Sequence, residues 1–530
     1  MQFDTRTDAP SSPAPVIRLV VLATIMIGIG IRLYELSRIN LWEDEIISVT
    51  HAVQPFWELL VNVIRHDIHP PLYFIQLYIW AFVSTSDAWF VANSISWGVA
   101  GIGAVWYTAK LLYGIKAGMV AAMTFALLPM AIASSQLVRM YPMLSVLVIA
   151  SFYITERTFV RADASFRGLW ILGLFLANIM IIATHIFGMV AVFFLGIYGL
   201  VGVFNRKGPR SDILKWLFLY GALAILALPV MASAVLHDPD SSVKASTSSV
   251  QAVLKLISAL FMGSSAYRSD ATFTIGLSLY VVVVFLGVGM RRSRIMTICF
   301  LIAPVATAMI IGFLIKPMFK APFFASLGLP FAAIVLGIFA DSLGKSRYGS
   351  RLPFWHSVTC YALTPAILLA AVFLMDRLNW KSTNYRAAAA MLNAEMKRND
   401  VIYVPHYVMF WGIAWYLIGP NWGSPLAVAE PPNPKWQEVY RILGPELTGK
   451  LGLIPRTQSV EHAGVRLVIG HSSMDHVVGS SRIWLVTYGN RDPVPAAIWE
   501  LNRLRVIEYR GLQVHLFGSS AESVGGLGLG

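Results

Sequence analysis

"IRLYELSRINLWEDEIIS", residues 31–48, closes a strongly apolar run and sets Glu43, Asp44 and Glu45 directly beyond it. A little further on comes "HDIHPPLYF", residues 66–74. The apolar run, from about Ile17 to Leu36, has the roughly 20 residues that a helix needs to cross a bilayer. No small-residue cleavage site follows it, so it reads as a retained signal-anchor helix. The acids and histidines therefore stand where the chain first leaves the membrane. Polar groups at such a boundary are costly unless they line a functional cavity. Their meaning depends on how often the rest of the chain crosses, and on which side they emerge.

Of 530 residues, 57% are hydrophobic and 13% charged, against about 25% charged in soluble domains. That composition excludes the soluble classes and predicts a polytopic α-helical membrane protein. The net charge of +13 reflects Lys and Arg in cytoplasmic loops, and no nucleic-acid partner is expected. Cys299 and Cys360 fall in or beside apolar segments and predict no disulfide framework. Further apolar windows start near Trp89, Ala117, Pro142, Leu169, Phe187, Leu214, Ala271, Ile295, Ala321 and Trp355, which makes about 11 transmembrane helices. Every second loop is basic: Lys110 and Lys116; Arg157, Arg161 and Arg167; Arg206, Lys207, Arg210 and Lys215; Arg291, Arg292 and Arg294; Lys345, Arg347 and Arg351. This alternation puts the N-terminus inside. Pro70–Val83 is apolar over only about 14 residues, short of a crossing, and reads as an interfacial helix on the outer surface. The segment from about Ser37 to Ala88 is then a long first outer loop that holds the acid run. "VLKLISALFMG" reads as a second interfacial helix.

Residues 1–375 thus form a transmembrane domain, and 376–530 change character. "NYRAAAAMLNAEMKRND" reads as a helix; "VIYVP", "VRLVIG" and "RIWLVTYG" read as strands, and "RVIEYRGLQVHLF" as a hairpin turning at Arg510–Gly511. This is a small C-terminal α/β domain, extracytoplasmic by the same parity.

The unusual polar residues fall on one side: Asp44, Glu45, Asp67, His69, Arg139, Tyr141, His185, Lys316 and Lys320 all lie at or beyond outer span ends. Taken singly, Arg139 or Lys316 is equally a snorkelling interface residue, His185 an interior hydrogen-bonded histidine, and Glu43 a solvated loop carboxylate. Asp44 and Glu45 stand out because adjacent carboxylates repel, which favours general-base behaviour. A carboxylate that takes a proton from an acceptor hydroxyl or amine, with His69, Arg139, Lys316 and Lys320 as cations on a leaving phosphate, suggests transfer from a lipid-linked phosphate donor. Composition leaves other membrane activities open.

Residues 31–48 followed by "HDIHPPLYF" resemble the opening signature of the GT-C superfamily of integral-membrane glycosyltransferases. The branch is the polyprenyl-phosphate-dependent one, with the lipid A aminoarabinose transferase and the protein O-mannosyltransferases. "SQLVRMYPMLSVL", "ATHIFG" and residues 384–419 resemble later landmarks of its bacterial members. The resemblance implies that Asp44 is the catalytic aspartate and Glu45 its usual neighbour. It puts His69 near the donor phosphate, and Arg139 and Tyr141 in an R-x-Y element at the outer end of the third span. Where many relatives carry an Arg-Tyr pair this chain reads Pro322-Phe323, and Lys316 or Lys320 is expected to replace that arginine.

The reading is a glycosyltransferase of the bacterial inner membrane with its active site on the outer face. It would move a sugar from a polyprenyl-phosphate carrier to an extracytoplasmic acceptor, with inversion. No cofactor is required by the sequence, and a divalent metal is left open. The alternatives are a transporter or flippase for lipid-linked glycans, and a polymerase or ligase using a diphosphate carrier. Convergence of Asp44, His69 and Arg139 at one membrane face favours an enzyme; polar residues along a path through the bilayer favour a transporter. The parity of basic loops makes one prediction: an alkaline phosphatase fusion after Gly530 is active and one after Lys345 inactive, and the reverse pattern would shift the span count by one.

Overall fold

The structure, a computed structural model, describes residues 15–34, 36, 40–163, 165–236, 249–263, 266, 269–314, 321–345, 361, 364–373, 383–405, 407–420, 459–463, 465–469, 482–488, 498, 501–509 and 512–518. Its first helix, α1 (Pro15–Leu33), covers the first apolar run and is long and apolar enough to cross a membrane. Three short helices then fill the first outer segment: α2 (Glu43–Ala52), α3 (Phe56–His66) and α4 (Leu72–Ala81). At about 1.5 Å per residue, the ten residues of α4 cover about half the hydrocarbon thickness, so α4 does not cross.

The bundle follows. Its helices are α5 (Asp87–Tyr113), α6 (Ile115–Leu127), α7 (Pro129–Ser135), α8 (Tyr141–Thr155), α9 (Arg167–Thr184), α10 (Gly188–Asn205) and α11 (Arg210–Leu236). Then come α12 (Ser249–Met262), α13 (Asp270–Gly289), α14 (Arg294–Thr297), α15 (Ala303–Leu314) and α16 (Ala321–Lys345). Among the described residues, eight helices are long and apolar enough to cross a membrane, or nine if the bent pair α6 and α7 is one span. Exposed apolar side chains such as Phe218, Ile225 and Phe285 suit a lipid environment. The protein is thus a multi-pass membrane protein. The span expected near Ile295 falls on α14 and α15, which a π-helical turn at Ile298–Ile302 joins. The one expected near Trp355 starts outside the described residues, which resume in this region with Tyr361 and helix Thr364–Phe373. The segment read as a second interfacial helix is α12, and its buried face, with Leu256, Ala259 and Leu260, packs on α13 and α16.

The break between α6 and α7 has a sequence cause. Pro129 has no N–H to give Phe125 four residues back, and the two helices bend by 62°. Arg32, fully buried at the end of α1, takes up the freed backbone. Its Nη1 donates to the carbonyls of Ala126 (2.6 Å) and Gly28 (2.9 Å), its Nη2 to that of Phe125 (3.4 Å), and its Nε to Ser135 Oγ (3.2 Å). α1 comes this close because Gly28 carries no Cβ, which would stand 2.6 Å from the Ala126 carbonyl oxygen.

The C-terminal region builds a six-stranded mixed sheet of β1 (Val401–Val404), β2 (Ser459–His462), β3 (Val465–Ile469), β4 (Arg482–Thr487), β5 (Asn502–Tyr509) and β6 (Leu512–Gly518). The order is β2-β3-β1-β4-β6-β5, with β1 parallel to both β3 and β4 and the other pairs antiparallel. The expected strands and the β5–β6 hairpin are present; β2 was not read from the sequence. Helix Tyr385–Glu395, capped by Asn384 Oδ1, precedes β1, and helix Tyr407–Leu417 follows it. Phe410 and Trp411 share one buried cluster with Ile46 and Val49 of α2. The sheet region therefore sits at the same end of the bundle as the acid run.

Arg32→Met removes several charge-assisted donors from buried carbonyls. A loss of about 3 kcal/mol is expected, read as a fall in the thermal midpoint of the detergent-purified protein, with Arg32→Lys intermediate.

Candidate active site

The acid run is not in a loop. Glu43, Asp44 and Glu45 form the first turn of α2, where backbone N–H groups point outward and negative charge is favoured. Successive helical side chains splay apart by about 100°, so the three carboxylates meet different partners. The mutual crowding expected from adjacency gives way to this divergence.

Glu45, with no exposed surface, accepts from two backbone amides: Trp42 N (3.0 Å), as in a capping box, and Val138 N (2.8 Å) from the turn between α7 and α8. That bond lays the α7–α8 turn along α2. Arg139, 5% exposed, follows, and its Nη1 donates to the Asp44 carbonyl (3.0 Å) and to Ser48 Oγ (3.1 Å). Burial works to lower the Arg139 guanidinium. The Asp44, Tyr141 and Asp67 side chains around it outweigh burial and hold it well above its ordinary value. Its buried Nε–H has no hydrogen-bond acceptor in the structure. Asp44 is half-buried, and its carboxyl acts on this cation as the strongest of the nearby anions.

The "HDIHPP" turn comes in from the α3–α4 connection. Asp67 Oδ1 accepts from His69 N (2.7 Å), which fixes the turn, and Asp67 Oδ2 lies 3.9 Å from His51 Nε2. The His69 ring packs on His185 with centroids 4.6 Å apart. His185 is anchored in turn: its Nδ1 accepts from Phe187 N (3.0 Å), and its ring stacks on Phe323 at 4.9 Å and lies 5.8 Å from Tyr141. The two histidines, Asp67, Arg139, Tyr141 and Asp44 thus converge at one end of the bundle although they come from four separate segments. Lys316 and Lys320 lie outside the described residues. Among the described residues, no group of three His, Cys, Asp or Glu side chains could hold a metal ion.

Three side chains were missed by the sequence reading. Ser48 and His51 stand four and seven residues after Asp44, one face of a helix, so a helical reading of residues 43–52 would have found them. The third is Glu43, expected to be solvated. Its Oε1 accepts from Tyr488 (2.6 Å), Tyr385 (3.1 Å) and Thr383 (3.4 Å), hydroxyls of the C-terminal region. Asp87 at the start of α5 makes a parallel set of bonds, from Arg386 (2.6 Å), Tyr416 (2.7 Å) and Trp415 Nε1 (3.2 Å). Two acids thereby dock the C-terminal region over the acid run.

No protein-family model matches the chain, and no curated protein matches it in sequence. Likeness appears among solved structures. The crystal structure of ArnT from Cupriavidus metallidurans bound to undecaprenyl phosphate superposes with a TM-score of 0.53 at 12% identity, over 96% of this chain and 98% of that one. The same protein in its apo state superposes with a TM-score of 0.55 at 13% identity, over 94% and 97%. Coverage is nearly complete in both directions while identity is low, so what is shared is the fold. The chain shares the fold of ArnT, in line with the resemblance that its opening motifs carry.

The Glu45 clamp predicts that Glu45→Gln, which faces one of two backbone donors with another donor, lowers the thermal midpoint by the equivalent of about 1–3 kcal/mol. Glu58→Gln, at an exposed carboxylate of α3, leaves the midpoint nearly unchanged. Equal midpoints for both variants would remove Glu45 as the link between the two segments.

Proposed function

We propose that this chain, which shares the fold of ArnT, is a glycosyltransferase that moves a sugar from a polyprenyl-phosphate carrier to an acceptor at the membrane face where Asp44 sits. The observation that carries the reading is the Arg139 guanidinium. It is buried, held firmly protonated above all by the Asp44 carboxyl, and its Nε–H lacks an acceptor. A buried cation with an unused donor suits a phosphate oxygen. That ArnT has been captured with undecaprenyl phosphate supports a lipid phosphate as the donor's leaving group.

In the proposed reaction, the acceptor hydroxyl or amine attacks the anomeric carbon while Asp44 takes its proton. The bond from that carbon to the phosphate oxygen breaks, and the electron pair leaves with the lipid phosphate. Arg139 stabilises the charge that builds there, with His69 beside it and with Lys316 and Lys320 assigned to the same phosphate from their sequence positions. A single displacement inverts the anomeric centre. Tyr141, Asp67 and His185 hold Arg139 and His69 in place. Glu45 acts through the backbone, as a positioning residue. The convergence of these groups at one end of the bundle supports an enzyme over a transporter. The outer face of a bacterial inner membrane suits the reading, because the arginine-rich loops stand at the opposite end.

Asp44→Asn is expected to lower turnover by about 10² to 10⁴, and wild-type turnover in that variant would falsify its role as base. Arg139→Ala should depress turnover even at saturating undecaprenyl-phosphate sugar, with Arg139→Lys restoring only part, because lysine lacks the planar fork. The measurement is steady-state kinetics with varied donor and fixed acceptor. A change confined to the apparent affinity for the acceptor would move Arg139 out of the phosphate site.

A further inference from the structure

α8 and α10 lead away from the candidate active site. From Tyr141 to Glu156 the chain climbs about 22 Å at the helical rise. At these far ends, between α5, α8, α10 and α14, lies a cavity of about 690 Å³. That size fits a small-molecule site. Arg161, Arg206, Arg291 and Arg292 line it, against one carboxylate, Glu156.

Glu156 is already committed. It accepts from the Tyr198 hydroxyl and pairs with Arg161 at 3.4 Å. Two of the arginines are held by backbone: Arg161 Nη2 donates to the Leu112 carbonyl (2.7 Å) and Arg206 Nε to that of Phe159 (2.9 Å). Arg206 also reaches Asp212, which Arg167 shares at 2.9 Å. Arg292 is 3.8 Å from Asp341, a loose pair, and Arg291 has no carboxylate partner among the described residues. The cavity is thus rich in guanidinium forks, two of them pre-positioned, and poor in acid. Pre-positioned donors lower the ordering cost of binding an anion. A π-helical turn at Glu156–Val160 forms part of the wall, and such turns recur at functional sites.

We propose that this cavity binds a phosphomonoester, at a site separate from the one around Asp44. Guanidinium forks match phosphate oxygens in pairs, and a phosphomonoester carries nearly two charges at neutral pH. The phosphate could come from the headgroup of a membrane lipid or from a soluble compound. The cavity stands at the end of the bundle, within reach of both. The proposal does not rest on the glycosyltransferase reading.

The probes are dioctanoyl phosphatidic acid, dioctanoyl phosphatidylcholine and inorganic phosphate, titrated calorimetrically into the detergent-purified protein. An Arg139→Ala background keeps the candidate active site out of the signal. Saturable binding of phosphatidic acid, weakened on the order of tenfold or more by Arg291→Gln with Arg292→Gln, is the expected result. Displacement by millimolar inorganic phosphate assigns the site to soluble phosphates, and resistance to displacement assigns it to lipid headgroups. Equal binding of phosphatidylcholine, or no loss in the double variant, overturns the proposal. Hydrogen exchange on the wild-type chain gives a reading that needs no variant. Phosphatidic acid should protect residues 156–161, 202–206 and 291–296, and absence of protection there also overturns it.

Discussion

A buried carboxylate holds the candidate site together. Glu45 has no contact with solvent, and an ionised group in that position is costly unless its oxygens are fully engaged. Its oxygens take the amides of Trp42 and Val138, and this satisfaction joins two segments more than ninety residues apart. Everything nearby follows from the join. Arg139 is laid along α2, its guanidinium meets the Asp44 carbonyl and Ser48, and Asp44 is left half-buried, its carboxyl acting on a fixed cation. The residue that resembles a catalytic neighbour is, in the structure, the one that puts the arginine in place.

The same physical problem recurs one layer deeper. Backbone at membrane depth must find its partners within the protein. Pro129 breaks the α6–α7 ladder, and the freed carbonyls would be stranded without Arg32. Because Arg32 also bonds Ser135, it fixes the end of α7 from which the Val138–Arg139 turn departs. α1 therefore does more than supply an apolar span: its last turn braces the segment that carries the arginine.

The two ends of the bundle differ in electrostatic character. At one, acids in the first turns of α2 and α5 bind hydroxyl and guanidinium groups of the C-terminal region, which roofs the acid run. At the other, arginines outnumber carboxylates around an open cavity. The polarity follows from the alternation of basic loops along the chain, and the helices that join the two ends are apolar.

Much of this was legible from local pattern. Composition and apolar windows require a multi-span helical protein, and the acid run with the "HDIHPP" turn marks the end where polar residues gather. Alternation of apolar residues marks most of the C-terminal strands. Spacing by itself also contained Ser48 and His51, had residues 43–52 been read as a helix. Other features have no local signature. Nothing in the sequence near Glu43 announces Tyr385 and Tyr488, and nothing near Arg32 announces the Phe125 carbonyl. Sequence by itself determined which residues are too polar for the membrane, because transfer cost belongs to each side chain. Only the tertiary structure decided which of them pair, because a hydrogen bond needs both partners within about 3 Å, and that distance is set by how distant helices pack.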